Sequence, residues 1–248
     1  MPPLTLGEVL GRPYPHLADS GLTRFLTRGT LVAFRQRILE VQGLEHVRPE
    51  NDPFILVLNH SQKLEAVLAP AIFFHYRDGK RIHFIADWNF CLIPGVYLFY
   101  RAGQTITLVR KPARPRFLNV FKPLFTDGVP AYERARQRLD AGASVGIFPE
   151  GTTNRDSSRL LRGFNGAAKL SLESGVKVVP VGLTFPGVPP GEKVSEFAPM
   201  RVNIGPPMQP EKLNGAPSAE AVNDWHACVM RAIGRLSGKE WQANTSRR

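Results

Sequence analysis

Cysteine is scarce in this chain. Only Cys91 and Cys228 occur among 248 residues, and they lie far apart. No CxxC and no Cys/His cluster is present, so the sequence offers no zinc-ligand spacing. Two cysteines fit a reducing compartment. Long apolar runs are missing too. A spanning helix needs about 20 apolar residues, and the two longest candidates, 66–74 and 90–100, contain Pro70 and Pro94. The first sixteen residues, MPPLTLGEVLGRPYPH, hold no basic stretch followed by an apolar core. They do not read as a signal peptide, and any membrane contact is expected to be peripheral. Acid is also in short supply. Against 32 Lys and Arg stand 21 Asp and Glu, a net charge of +11. That balance fits an anionic partner (nucleic acid, a phosphate-bearing substrate or an anionic membrane leaflet) or simply a basic soluble protein. No run of five basic residues, no basic motif interleaved with aromatics and no finger spacing occurs. Nucleic acid is therefore not expected as a partner.

What is present can build a core. Hydrophobic residues make up 43% of the chain and charged ones 21%, which is not a disordered composition. Twenty-two Gly and twenty-two Pro favour many turns over a helical bundle. Residues 1–20 read as irregular. Leu22–Arg37 reads as a helix in which Leu22, Phe25, Leu26 and Ala33 share a stripe beside Arg24, Arg28 and Arg35. Such a helix lies at a membrane interface or packs on the core. Ile38–Val41, Phe54–Leu58, Arg81–Ala86, Thr105–Val109, Ser144–Phe148 and Met200–Ile204 read as strands. Phe54–Leu58 (FILVL) is apolar on both faces, as in a buried strand of a parallel sheet. Val176–Phe185 reads as a strand pair or one strand broken by Pro180. Helices are expected over Glu65–His75, with a kink at Pro70, over Ala131–Ala141 and Gly166–Ser174, and over Ser218–Leu236 with Ser218 as N-cap. Lys111–Gly128 reads as a basic, Pro-rich insertion or mobile loop, and Ser237–Arg248 as a frayed polar tail.

No internal repeat or low-complexity linker divides the chain. Strands alternating with helices predict an α/β fold: a single domain with a mostly parallel central sheet flanked by helices, preceded by an N-terminal amphipathic helix. The expected division is an N-terminal segment and possible interface helix over 1–37, the main domain over 38–240 and a polar tail over 241–248. Ligands in such sheets bind beyond the carboxyl ends of strands. Two polar segments follow apolar strands, which puts them on one rim.

The first is Asn59-His60-Ser61-Gln62-Lys63-Leu64-Glu65. Of the six histidines, only His60 has an acid five residues on. Residues five apart do not stack on a helix. If His60 lies in the loop before the first turn, Glu65 can reach back and fix one ring nitrogen, leaving the other to take a proton from an alcohol. The alternative is a histidine satisfied by backbone at a helix start. The second segment is Phe148-Pro149-Glu150-Gly151-Thr152-Thr153-Asn154-Arg155, with Arg159 and Arg162 beyond it. Arginines beside exposed backbone amides suit phosphate; the alternative is a solvated turn with surface arginines. Ser61 lacks a Gly-x-Ser-x-Gly elbow and Cys91 an evident base, so no protein nucleophile is implied.

Taken together, the two segments resemble the glycerolipid acyltransferases of the lysophosphatidic acid acyltransferase (PlsC-like) family, which carries a His-x4-Asp motif followed by FPEGT. Gly103–Arg110 resembles a third family block, and Val178-Val179-Pro180-Val181 a fourth. The resemblance covers roughly residues 40–208. It implies an acyltransferase that moves a fatty acyl group from acyl-CoA or acyl carrier protein to the hydroxyl of a lysophospholipid such as 1-acylglycerol-3-phosphate. His60 would be the general base and Glu65 would stand in for the usual Asp. Arg110 and Glu150, Gly151, Thr152, Thr153, Asn154 and Arg155, with Arg162 beyond them, would bind the acceptor's phosphate and glycerol, and Pro180 would shape the acyl-donor side. No bound cofactor or metal is implied. The expected partners are the lysophospholipid, the acyl thioester and an anionic membrane surface, at the cytoplasmic face as a peripheral protein. Two departures stand out: Glu65 is one methylene longer than Asp, and Thr153-Asn154-Arg155 replaces the common Arg-Ser after FPEGT. A non-catalytic lipid-binding relative and, behind it, a nucleic-acid-binding protein are the competing readings.

Overall fold

The computed structural model describes residues 4–17, 20–109, 112–113, 115–126, 128–211 and 215–243. The helices are α1 (Leu6–Gly11), α2 (Gly21–Phe34), α3 (Glu65–Tyr76), α4 (Pro94–Gly103), α5 (Lys122–Phe125), α6 (Ala131–Asp140), α7 (Gly166–Ser174) and α8 (Ala219–Ser237). The strands are β1 (Ile38–Gln42), β2 (Ile55–Leu58), β3 (Ile82–Asp87), β4 (Ile106–Leu108), β5 (Ser144–Ile147), β6 (Val178–Thr184) and β7 (Met200–Ile204). They form one sheet in the order β1-β7-β6-β2-β5-β3-β4. Every neighbouring pair is parallel except β6 and β7. The chain is a single α/β domain with a mostly parallel sheet, as its sequence predicts.

The alternation along β2 explains why FILVL is apolar throughout. Phe54, Leu56 and Leu58 pack with Leu68, Ile72 and Phe73 of α3 on one face. Ile55 and Val57 pack with Val229 and Ile233 of α8 on the other. Side chains of successive strand residues point to opposite faces, so a central strand covered on both sides must be apolar at every position. Helix α8 lies close to β6 because Gly182 has no side chain: a Cβ there would stand 2.1 Å from the Leu236 carbonyl carbon. At the opposite end from the polar rim, buried Arg77 donates to both Asp52 oxygens at 2.8 and 2.7 Å, pinning the end of α3 to the start of β2.

Several elements differ from expectation. The start of the chain is not irregular throughout: Thr5 and Glu8 form a reciprocal capping box that starts α1. In α2 the buried positions are Thr23, Thr27, Thr30 and Leu31. The apolar stripe points away from the core, with Phe25 73% exposed. The segment read as a loop over Lys111–Gly128 holds a 3₁₀ helix, Arg116–Phe121, leading into α5; Lys111, Arg114 and Asp127 lie outside the described residues. Pro180 does not break its strand, since β6 runs through it and pairs it with Val57. The stretch from Ser237 is not frayed at its start, because Lys239 is buried.

Candidate active site

The rim forms where β2 and β5 end. β2 stops at Leu58, and Asn59 locks the exit: its side-chain amide donates to the Leu183 carbonyl at 3.1 Å and its oxygen accepts from the Leu183 N–H at 2.7 Å. His60 sits in the loop that follows, and Glu65 opens α3. The five-residue spacing works because the intervening loop turns back. His60 Nδ1 and Glu65 Oε2 are 2.8 Å apart, and the same carboxylate oxygen accepts from the Ser61 N–H at 2.8 Å. Glu65 is fully buried. The turn accommodates the longer Glu side chain, and among the described residues Glu65 Oε1 is buried without a hydrogen-bond partner.

The loop is held from outside by residues that carried no signal. Gln62 Nε2 donates to the Ser195 and Ala198 carbonyls at 2.7 and 3.0 Å. Glu196 accepts from the Leu64 N–H at 2.9 Å and pairs with Arg155. A buried polar group gains its net stabilisation only when its partners are in place, so these contacts fix the loop in one conformation.

The second segment wraps over the first. Gly151 takes a left-handed φ of +65°, which the turn after β5 requires and which glycine adopts without a Cβ clash. Glu150 is buried, not turned to a ligand. Its Oε1 accepts from the His60 N–H at 3.1 Å, and its Oε2 accepts from Asn154 Nδ2 at 2.7 Å and the Leu161 N–H at 2.9 Å. Burial pushes the Glu150 carboxyl above its ordinary range; the three N–H donors and the Lys239 ammonium oppose that. Asn154 is likewise buried and committed, donating also to the Arg159 carbonyl at 2.7 Å, while its own N–H reaches the His60 carbonyl at 2.6 Å. Glu150 and Asn154 thus act as tethers between the two segments, each with its hydrogen-bonding atoms engaged within the protein. Thr152 is exposed, and Thr153 Oγ1 lies 3.3 Å from His60 Nε2. The Phe148 ring sits 4.5 Å from the imidazole.

The remaining sequence-derived residues scatter. Arg155 and Arg162 are exposed, Arg155 beside Glu196 and Arg162 at a turn whose carbonyl accepts from His226 and Trp241. Pro180 lies inside the sheet. Strand alternation puts it with Val178 on the α8 side, with its ring beside Gly205, so it does not reach the rim. Arg110 lies outside the described residues.

Sequence reasoning missed Lys239. Its ammonium donates to Ser61 Oγ at 2.7 Å and to the Asp156 carbonyl at 2.6 Å. Burial lowers the Lys239 pKa, opposed by the charges of Glu150, Glu65 and Asp156. One buried cation thus stands behind two buried carboxylates and joins both segments. Its only sequence context is Gly238-Lys239-Glu240, which announces nothing. An apolar cleft also lies along α3. It runs from Ala66 along Val67, Pro70 and Phe74 of α3 toward Leu26 of α2 and Tyr100 of α4.

A histidine with one nitrogen fixed by a carboxylate and the other facing a rim is arranged for proton transfer to and from a hydroxyl. The Acyltransferase family model matches residues 38–184, more than half of the chain, and the chain belongs to that family. A chloroplastic 1-acyl-sn-glycerol-3-phosphate acyltransferase of Arabidopsis thaliana is 28% identical over 177 residues, 70% of this chain and 44% of the relative. One of Brassica napus is 27% identical over 176 residues, 70% of this chain and 46% of the relative. The chain thus spans less than half the length of these curated relatives. The crystal structure of the 1-acyl-sn-glycerophosphate acyltransferase PlsC from Thermotoga maritima matches with a TM-score of 0.57 at 22% identity. It covers 93% of this chain and 87% of that one, a likeness of fold.

Proposed function

We propose that this chain transfers a fatty acyl group from an acyl thioester, acyl-CoA or acyl carrier protein, to the free hydroxyl of a lysophospholipid of the 1-acylglycerol-3-phosphate type, working peripherally at the cytoplasmic face of a membrane. The observation that carries the reading is the His60–Glu65 pair, with Nε2 left facing the rim beside Thr153. The acyltransferase names of the relatives support it. Nε2 takes the proton of the acceptor hydroxyl as its oxygen attacks the thioester carbonyl. The carbon–sulfur bond then breaks, and the departing thiolate receives the proton from the imidazolium. Glu65 holds the ring in one tautomer and stabilises its charged form. The Ser61 and Leu64 amides are already committed. The turn around Thr152 and Thr153, beside His60 Nε2, is our candidate for oxyanion stabilisation. Arg155, exposed on the turn that carries Thr153, supplies positive charge for the acceptor phosphate.

The test is thiol release from long-chain acyl-CoA and from acyl carrier protein against a panel of lysophospholipids, with the product identified. Release that depends on an acceptor with a free hydroxyl is expected. Lipid binding without turnover of any donor would overturn the reading and leave the non-catalytic relative in its place.

A further inference from the structure

Residues 20–39 and 88–126 contain ten Lys and Arg and no Asp or Glu. Nearly all of the net charge of +11 therefore belongs to two acid-free segments. The same segments hold most of the outward apolar surface. Of the fourteen large hydrophobic side chains exposed among the described residues, ten fall within them. Phe25, Phe117, Val120 and Leu124 are each more than 70% exposed. Scattered exposed apolar residues are ordinary. Their coincidence with acid-free segments whose described charges (Arg24, Arg28, Arg35, Arg37, Arg101, Arg116 and Lys122) are all positive is not, because a surface that only had to stay soluble would intersperse both signs of charge.

The segments are also neighbours in space. Helix α2 packs on α4, with Thr23 Oγ1 donating to the Ala102 carbonyl at 3.4 Å. The 3₁₀ helix Trp88–Leu92 packs on both α4 and α5. The Tyr97 and Phe125 rings meet at 5.3 Å, and Thr107 Oγ1 donates to the Phe125 carbonyl at 3.0 Å, tying α5 to β4. The exposed side chains thus stand on an anchored platform, and α2 and α4 also wall the apolar cleft that begins at Ala66, next to Glu65.

We infer that this platform, with Arg116–Phe125 as its most outward element, is the face that docks on an anionic lipid bilayer. Phe117, Val120 and Leu124 enter the acyl boundary while Arg116 and Lys122 stay among the head groups. Apolar insertion plus attraction to anionic lipid is the combination that holds a peripheral helix at an interface. The inference rests on the proposed lipid acylation, and it places the mouth of the chemistry against the membrane that supplies the acceptor.

The experiment compares the full chain with the F117S/V120S/L124S variant, whose substitutions all fall on exposed positions. Both are sedimented with vesicles containing phosphatidylglycerol and with pure phosphatidylcholine vesicles at two salt concentrations. Thiol release is measured in parallel on dispersed, short-chain donor and acceptor. The wild type is expected to bind the anionic vesicles, less at high salt, and the variant to bind them about tenfold more weakly. Short-chain turnover should stay within about twofold, since no substituted residue touches the dyad. Wild-type vesicle binding by the variant would overturn the inference. So would a wild type that ignores anionic vesicles at low salt, as it would if a protein partner covered this face. Absent short-chain turnover in both proteins would strike at the acylation reading instead, and the vesicle arm would still decide the docking face.

Discussion

Glu65 and Glu150 are both buried carboxylates at the same rim, and their partners separate their roles. Glu65 touches the imidazole. Among the described residues, Glu150 touches only amide donors and so shapes the backbone around His60. Lys239 is the group that makes two such neighbours tolerable, since buried charge without compensation is expensive. It acts through Ser61 and through its field, which makes it a positioning residue. The Lys239→Met variant is expected to lose about 10–100-fold in kcat/KM through misplacement of the dyad. Its pH–rate profile should also change, with the acid limb moving to higher pH, because Lys239 opposes the upward shift of the Glu150 carboxyl and, without it, Glu150 protonates sooner and loosens its hold on the His60 amide. Lys239→Arg should restore much of the position of that limb. A loss equal at every pH, with the limb unmoved, would reduce Lys239 to a structural support.

At the scale of elements, strands were legible wherever burial on both faces forced continuous apolar sequence, as in FILVL and SVGIF. The dyad was legible because an unusual spacing could be rescued by one loop geometry, and the loop has that geometry. Helix α1 carried a local sign, Thr5 with Glu8 three residues on, that Pro and Gly on either side obscured. The stripe of α2 fits a membrane interface or the core equally as sequence, and the packing decides between them. Thr23, Thr27 and Thr30 are small enough to let α2 sit close to its neighbours, while Leu22 and Phe25 face out and Leu31 is buried. The end of α3 carries its own pH dependence. His75 is buried against Tyr14, 2.7 Å from its hydroxyl. Burial first, then the charges of Arg12 and Arg28, lower its pKa from 6.5 to about 4, while Glu8 and Asp78 pull the other way. Between those values the unfolded chain binds a proton that the folded chain refuses. Stability therefore falls as pH drops from about 6.5 toward about 4, by about 2 kcal/mol on reaching pH 5. Urea unfolding at pH 7 and pH 5 should show that drop in the wild type and a smaller one in His75→Gln. Equal drops would remove His75 as the cause.

On the scale of the whole molecule, the sheet gathers its chemistry at one end and the buried ion pairs of Asp52 at the other. Asp52, Arg77 and Lys80 lie at the amino ends of β2 and β3. The carboxyl ends of β2 and β5 carry His60 and Glu150. Neither segment would be a site alone, since the turn after β5 tethers the loop after β2 through Glu150 and Asn154. That joint could not be read from sequence because it depends on strand order: β2 and β5 are neighbours despite some ninety residues between them. The most direct test of the central claim is kcat/KM for acyl-CoA-dependent acylation of 1-acylglycerol-3-phosphate by His60→Ala, beside the thermal melt of the same protein. A fall of about a thousandfold with an unchanged melt is expected, as for loss of a general base. Wild-type turnover by a folded His60→Ala protein would contradict it.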